Sequence, residues 1–128
     1  MLYVSELDSN NEITIELADC IVGYFEAMLI RPTIYIGRDD SPEAVIGYIQ
    51  GFESAIRLAF VFPPPYNRDY LSHRFFRSRG WSSGYYTPLE RLRKGKMDEV
   101  EIVREILKFE IEKWKAFRRE VFFDSFLE

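Results

Sequence analysis

Apolar residues recur along this chain at steps of three and four in several separate stretches, the spacing that gathers side chains on one side of an α-helix. Between Glu12 and Leu29 the recurring positions are Leu17, Ala18, Ile21, Tyr24, Phe25 and Met28, preceded by the capping candidates Ser9, Asn10 and Asn11. A first helix is predicted there, ending near Arg31 because Pro32 disfavours helical geometry in the residue before it. Residues 13 to 17, ITIEL, also alternate β-branched and polar side chains, which leaves room for a short N-terminal strand, although no convincing partner strand follows. TIYIGRDD, residues 33 to 40, reads as an apolar connector in which Ile34 and Ile36 bury alternate side chains and Gly37 permits the turn into the next cap.

Ser41 caps a second helix, with Pro42 at its first position and Glu43 in the first turn, where a missing amide costs nothing and negative charge suits the dipole. Its apolar stripe is Val45, Ile49, Phe52, Ile56 and Ala59, while Gly47, Gly51 and Ala55 line another face that a neighbouring helix can approach closely. The prolines at 63 to 65 terminate it. A shorter helix is predicted over Asn67 to Arg79, with Leu71 and Phe75 inward and Gly80 as its end. After the loop GWSSGYY, Thr87, Pro88 and Glu90 suggest a capping box closed by Gly95. Asp98 and Glu101 repeat the box before a last helix with the seam Val100, Val103, Leu107, Ile111, Trp114, Phe117 and Val121. Its opposite face, Glu105, Lys108, Glu112, Lys115 and Arg119, reads as a solvated charge face. The expected fold is therefore mainly α: residues 1–128 as a single domain, a compact bundle of four to five helices.

Composition changes this picture little. At 128 residues the chain suits one domain, which buries roughly two thirds of its unfolded surface. The hydrophobic fraction of 47% argues against disorder, and no apolar run approaches the roughly 20 residues that span a bilayer. With Cys20 as the only cysteine, no intramolecular disulfide or cysteine zinc cluster forms, and with no basic-then-apolar leader a cytoplasmic protein is expected.

Charge changes it more, because the net −4 is unevenly spread. Residues 1 to 62 carry three basic against ten acidic groups, residues 63 to 96 eight against two, and the remainder six against nine. The basic middle can mark a polyanion site, but the favoured reading is that it is solvated or pairs with the acidic helices. Its mixture of Arg74, Phe75, Phe76, Arg77, Arg79, Trp81, Tyr85 and Tyr86 is one that single-stranded nucleic acid prefers. A nucleic-acid-associated module over 74–86 is accordingly the alternative reading, and a pI near 5.1 works against it.

Catalytic equipment is scarce. His73 is the only histidine, no GxSxG nucleophile motif occurs, and neither a P-loop nor GxGxxG is present. His73 reads as a surface residue and Cys20 as core. No enzyme activity, cofactor or metal site is expected.

Two resemblances attach to the segment around residues 28 to 60. IRPTIYIG followed by GFESAIRLA resembles the start of the gyrase B ATPase domain, where RPGMYIG leads into a helix carrying a glutamate and a magnesium-binding asparagine. Glu53 stands about where that glutamate falls, but Ser54, Ala55, Ile56 and Arg57 replace the asparagine region and no DxGxG follows, so ATP hydrolysis is not implied. More of the chain, with its RPxxYIG segment, its helix carrying GF then E and A, its Arg-Gly-Trp loop and its aromatic last helix, is similar to small bacterial proteins, some of which resemble immunity proteins of polymorphic toxin systems. That resemblance implies a non-catalytic inhibitor whose partner is a cognate protein toxin, a nuclease with a basic cleft being one such target, without membrane or nucleic-acid binding. The candidate partner-binding residues are the acids Asp19, Glu26, Asp39 and Asp40, which steer, and the loop aromatics Trp81, Tyr85 and Tyr86, which anchor.

Overall fold

The computed structural model describes residues 11–32, 41–63, 66 and 70–123. Among them the chain forms α1 (Ile15–Ile30), α2 (Pro42–Ala59), α3 (Tyr70–Ser78), α4 (Tyr86–Lys94) and α5 (Glu99–Phe122). The protein is mainly α, as its periodicity predicts. α5 is the axis of the bundle, with α1, α2, α3 and α4 all packed on it. No described helix is long and apolar enough to cross a membrane.

α1 starts at Thr14, whose Oγ1 accepts the Leu17 N–H at 3.1 Å, so the helix begins later than its apolar pattern. Of the predicted caps, Ser9 and Asn10 lie outside the described residues, and Asn11 has a different task. Its side-chain amide donates to the Ala59 carbonyl at 2.5 Å and its own carbonyl accepts the Val61 N–H at 2.7 Å. With the Ile13 N–H on the Val61 carbonyl at 2.9 Å, this makes an isolated parallel bridge between Glu12 and Val61. The expected N-terminal strand amounts to that bridge among the described residues. Its formation also explains why α2 stops at Ala59, before the prolines, since Phe60 is already extended.

α2 is capped as expected, with the Ser41 Oγ accepting the Ala44 N–H at 3.2 Å and Pro42 in the first position. Its buried face is Val45, Ile46, Ile49 and Glu53, while Phe52 and Ile56 are half-buried and Ala59 is exposed. The face of Gly47, Gly51 and Ala55 is exposed, and no atom lies within 4 Å of where either glycine would carry a Cβ. No described helix makes the predicted close approach there. Cys20 is likewise exposed rather than core, because α1 turns Ala18, Ile21, Val22, Phe25 and Met28 inward and leaves Cys20 beyond the edge of that arc.

Leu71 and Phe75 are buried on α3 as predicted, and Gly80 ends the helix region with φ of 70°. Residues 67 to 69 of that prediction lie outside the described residues. Neither predicted capping box forms. α4 begins at Tyr86 without a side-chain cap, and the Thr87 Oγ1 instead accepts the Ser83 N–H at 3.0 Å. Asp98 precedes α5 without a side-chain cap bond, and Glu101 pairs with Arg104 at 2.6 Å.

The predicted α5 seam is buried at Val103, Leu107, Ile111, Trp114 and Phe117, while Val121 is half-buried and Val100 exposed. A second line, Ile102, Ile106, Glu110, Lys113 and Phe117, is buried as well, because neighbours surround this helix on more than one side. Two charged side chains are thereby carried into the interior.

Candidate functional site

Helical spacing puts Glu110 and Lys113 on the same side of α5, one turn apart, where the flanking residues of the line are Ile106 and Phe117. Burying such groups is costly unless every charge and donor is met. α2 supplies Glu53, α3 supplies Ser72, and the residue before α4 is Tyr85. The Lys113 Nζ contacts Glu53 Oε1 at 2.9 Å, Glu110 Oε1 at 2.9 Å and Ser72 Oγ at 2.8 Å, one acceptor for each of its three protons. Ser72 passes its own proton to Glu53 at 2.5 Å. Glu110 also accepts the Tyr85 hydroxyl at 2.7 Å and the Trp114 indole N–H at 2.7 Å. The network thus ties α2, α3 and the loop before α4 to α5.

The electrostatics follow from this geometry. Burial on its own raises the Glu53 carboxyl, but the Lys113 charge, the Ser72 and Lys113 hydrogen bonds and the Arg57 charge outweigh it and hold Glu53 below the usual glutamate value. Burial likewise opposes the charge on Lys113, and the two glutamates overcome it and hold the amine above its usual value. Burial, then the neighbouring Glu110, pushes Tyr85 well above an ordinary phenol, so it stays a proton donor.

A serine against a lysine at 2.8 Å has the outline of a nucleophile with its base. A lysine base must be neutral, and this one is kept charged by two carboxylates. The remaining acceptor for the Ser72 proton is Glu53, which is held as a weak base. The network is a structural tie by these properties. It also accounts for Glu53, the residue that carries the gyrase-type resemblance: its carboxylate is committed to Ser72 and Lys113. The outer edge of the network, Glu53, Ser72 and Tyr85, reaches a cavity of about 350 Å³ that His73 and Arg57 also line. His73 is exposed, as predicted.

The five candidate partner-binding residues that are described do not form one surface. Asp19 and Glu26 are exposed on α1, with Asp19 paired to Arg118 and Glu26 lying 3.8 Å from Lys115 of α5. Asp39 and Asp40 lie outside the described residues. Trp81 and Tyr85 are core residues, 8% and 2% exposed, which corrects their reading as surface anchors. Trp81 packs against Phe75, Phe76, Tyr85 and Phe109, the last at 4.8 Å between ring centroids. Tyr86 alone of the three aromatics is exposed, at 43%.

The basic middle of the chain largely pairs with acidic helices. Arg74 meets Glu120 at 2.7 Å, Arg79 meets Glu112, and Arg93 bridges Glu43 and Glu99, both at 2.5 Å. Hydrogen bonds from Arg93 hold Glu43 below its usual value, and the two glutamates raise Arg93 in turn. The rings of Phe75, Phe76, Trp81 and Tyr85 pack edge-on or tilted against one another, which leaves Tyr86 as the exposed ring of the segment 74–86 for a base to stack on.

The sequence reading missed Glu110, Lys113 and Ser72. The available signal was the Glu110 and Lys113 pair standing in an Ile102, Ile106, Phe117 line, which only a helix surrounded by neighbours makes internal. Among the described residues no three His, Cys, Asp or Glu side chains are grouped to hold a metal ion. No family model, no curated protein and no solved structure matches the chain.

Proposed function

We propose that the chain is a non-catalytic protein-binding domain, an immunity protein or similar inhibitor that neutralises a bacterial toxin by covering its active or binding surface. The observation that carries this reading is the outward face of α1. Glu12, just before the helix, and Glu16, Asp19, Gly23, Glu26 and Ile30 follow one another at steps of three and four, and all are exposed. No lysine or arginine occurs from Glu12 through Ile30. The side chains beside this row are small, Cys20 and Ala27, so a partner's backbone can come close while its cations meet the carboxylates. Asp19 and Glu26 are steadied by Arg118 and Lys115 through exposed pairs of small energy, which a stronger partner can replace. The internal commitment of Ser72, Glu53 and Lys113 supports a role in covering a surface rather than in catalysis.

The test is a titration of the purified chain with the product of the gene next to its own. A tight one-to-one complex is expected, with an association rate that falls as salt rises. Glu16→Lys combined with Glu26→Lys is expected to weaken it at least about tenfold, each lost steering pair contributing a fraction of that, while the loss of a first-turn acid and of the Lys115 pair costs only about 1 kcal/mol of stability. No complex, or equal affinity in the double variant, rejects the reading.

A further inference from the structure

Lys108, Glu112, Lys115 and Arg119 stand at steps of four, three and four along α5 and therefore share one face. By sequence that face is merely solvated. In the fold α3 runs beside it, and the two helices become the walls of a surface groove of about 590 Å³. Arg74 and Arg79 from the α3 side join Lys108, Lys115 and Arg119 along it. The carboxylates lining the groove are Glu112 and Glu120, against five cations; just outside it Glu105 lies 3.5 Å from Lys108 and Glu26 3.8 Å from Lys115, long exposed pairs of small energy. Lys113 also reaches the groove, but its charge is met inside by Glu53 and Glu110. Leu71, Phe75 and Ile111, all buried, form an apolar floor.

The two guanidinium groups are held in place by the protein itself. The Arg74 Nη1 donates to the Tyr66 hydroxyl at 2.9 Å and to Glu120 at 2.7 Å. Arg79 lies over the Phe75 ring, 3.8 Å from its centroid, and pairs with Glu112. Cations positioned in this way lose less freedom when an anion arrives.

We propose that this groove binds an organic phosphate of about mononucleotide size, its phosphate oxygens taken by Arg74, Arg79 and the α5 cations and its apolar body resting on Leu71 and Ile111. Three features select that class. Five cations lining one groove match a multiply charged phosphate better than a single carboxylate, and the planar guanidinium fork suits phosphate oxygens. The apolar floor favours a ligand with a hydrophobic or flat body over an inorganic anion. The volume falls in the range of small-molecule sites, roughly 300–1,000 Å³. A single strand of nucleic acid is a poorer fit, because Phe75, Trp81 and Tyr85 are turned into the core and Glu112 and Glu120 interrupt the cationic walls for a running backbone. The site meets the α1 face only at Lys115, which lies 3.8 Å from Glu26, and ADP titration does not involve the α1 acids, so its failure leaves the inhibitor reading standing.

The experiment is calorimetric titration of the full chain at low ionic strength with ADP, with inorganic phosphate and with a short oligothymidylate. ADP is expected to saturate at one per chain, with inorganic phosphate about tenfold weaker for want of an apolar body. Lys108→Gln with Lys115→Gln changes only exposed side chains, so folding is preserved, and the pair is expected to lower ADP affinity about tenfold. Lys94→Gln, a cation of α4 that does not line the groove, is expected to leave it unchanged. Absence of ADP binding, affinity indifferent to the α5 double variant, or tighter binding of the oligothymidylate than of ADP each overturns the proposal.

Discussion

Lys113 shows how one residue can hold three helices to a single arrangement. Its three protons are each matched, and its charge is what makes the burial of Glu53 and Glu110 tolerable. Lys113→Met is expected to destabilise the fold by about 3–5 kcal/mol in urea titration, since two carboxylates are left facing each other without a cation. Adding Glu53→Leu removes one of them, and the double variant is expected to regain more than about 1 kcal/mol relative to additivity. Additive losses would show that the three groups do not act as a unit. Lys96 makes the opposite case. It sits at φ 60° just after α4, where the Lys96 N–H meets the Arg93 carbonyl at 3.0 Å and the Met97 N–H meets Leu92 at 3.1 Å. That is the left-handed position a glycine normally fills at a helix end, while Gly95 beside it has φ of −76°. Lys96→Gly should therefore raise stability by about 1 kcal/mol, read as a higher denaturation midpoint. The sequence put the helix end at the right place, but which of the two neighbours turns left-handed depended on where α5 has to begin.

At the level of elements, capping divides into bonds that local sequence secures and bonds that competition removes. Thr14 and Ser41 each accept a first-turn N–H, and Thr14→Ala or Ser41→Ala is expected to cost about 1 kcal/mol in the same titration. Thr87 and Glu101 had the spacing of capping boxes and went elsewhere, Thr87 to Ser83 and Glu101 to Arg104. Helix starts were legible where the cap had no rival, as at Ser41. They shifted where a nearby donor or cation offered an equal bond, because capping energies of this size are easily redirected. Cys20, Trp81 and Tyr85 changed sides for a related reason. A helical or loop pattern gives the spacing of side chains, and the rotation of α1 and the path of the 80–86 loop are set by what packs on α5.

For the molecule as a whole, the ionisable core makes a distinct pH profile. Glu53 is held below the usual 4.5, so its contribution to stability is complete above that value and is lost as the pH falls through the folded one. Lys113 is held above 10.5 and Tyr85 well above 10.0, so their contributions are present below those values and are lost as the pH rises past them. Thermal melts across pH are expected to show a plateau between the two limits, with an alkaline limb that is shallower in Lys113→Met. An equally steep limb in that variant would remove Lys113 as its cause.

Sequence by itself determined the helical class, the two long helices, the cap at Ser41 and most of the α5 seam, because these rest on spacing and on bonds between near neighbours. It also favoured a basic middle that is solvated or pairs with the acidic helices, and Arg74, Arg79 and Arg93 pair in that way. Only the tertiary structure decided that Glu110 and Lys113 lie inside, that Ser72 and Glu53 meet Lys113 across 41 and 60 residues of chain, and that the α5 charges face α3 across a groove. The physical reason is that a charged residue's fate depends on partners brought from distant elements, and no local period records which of them will arrive.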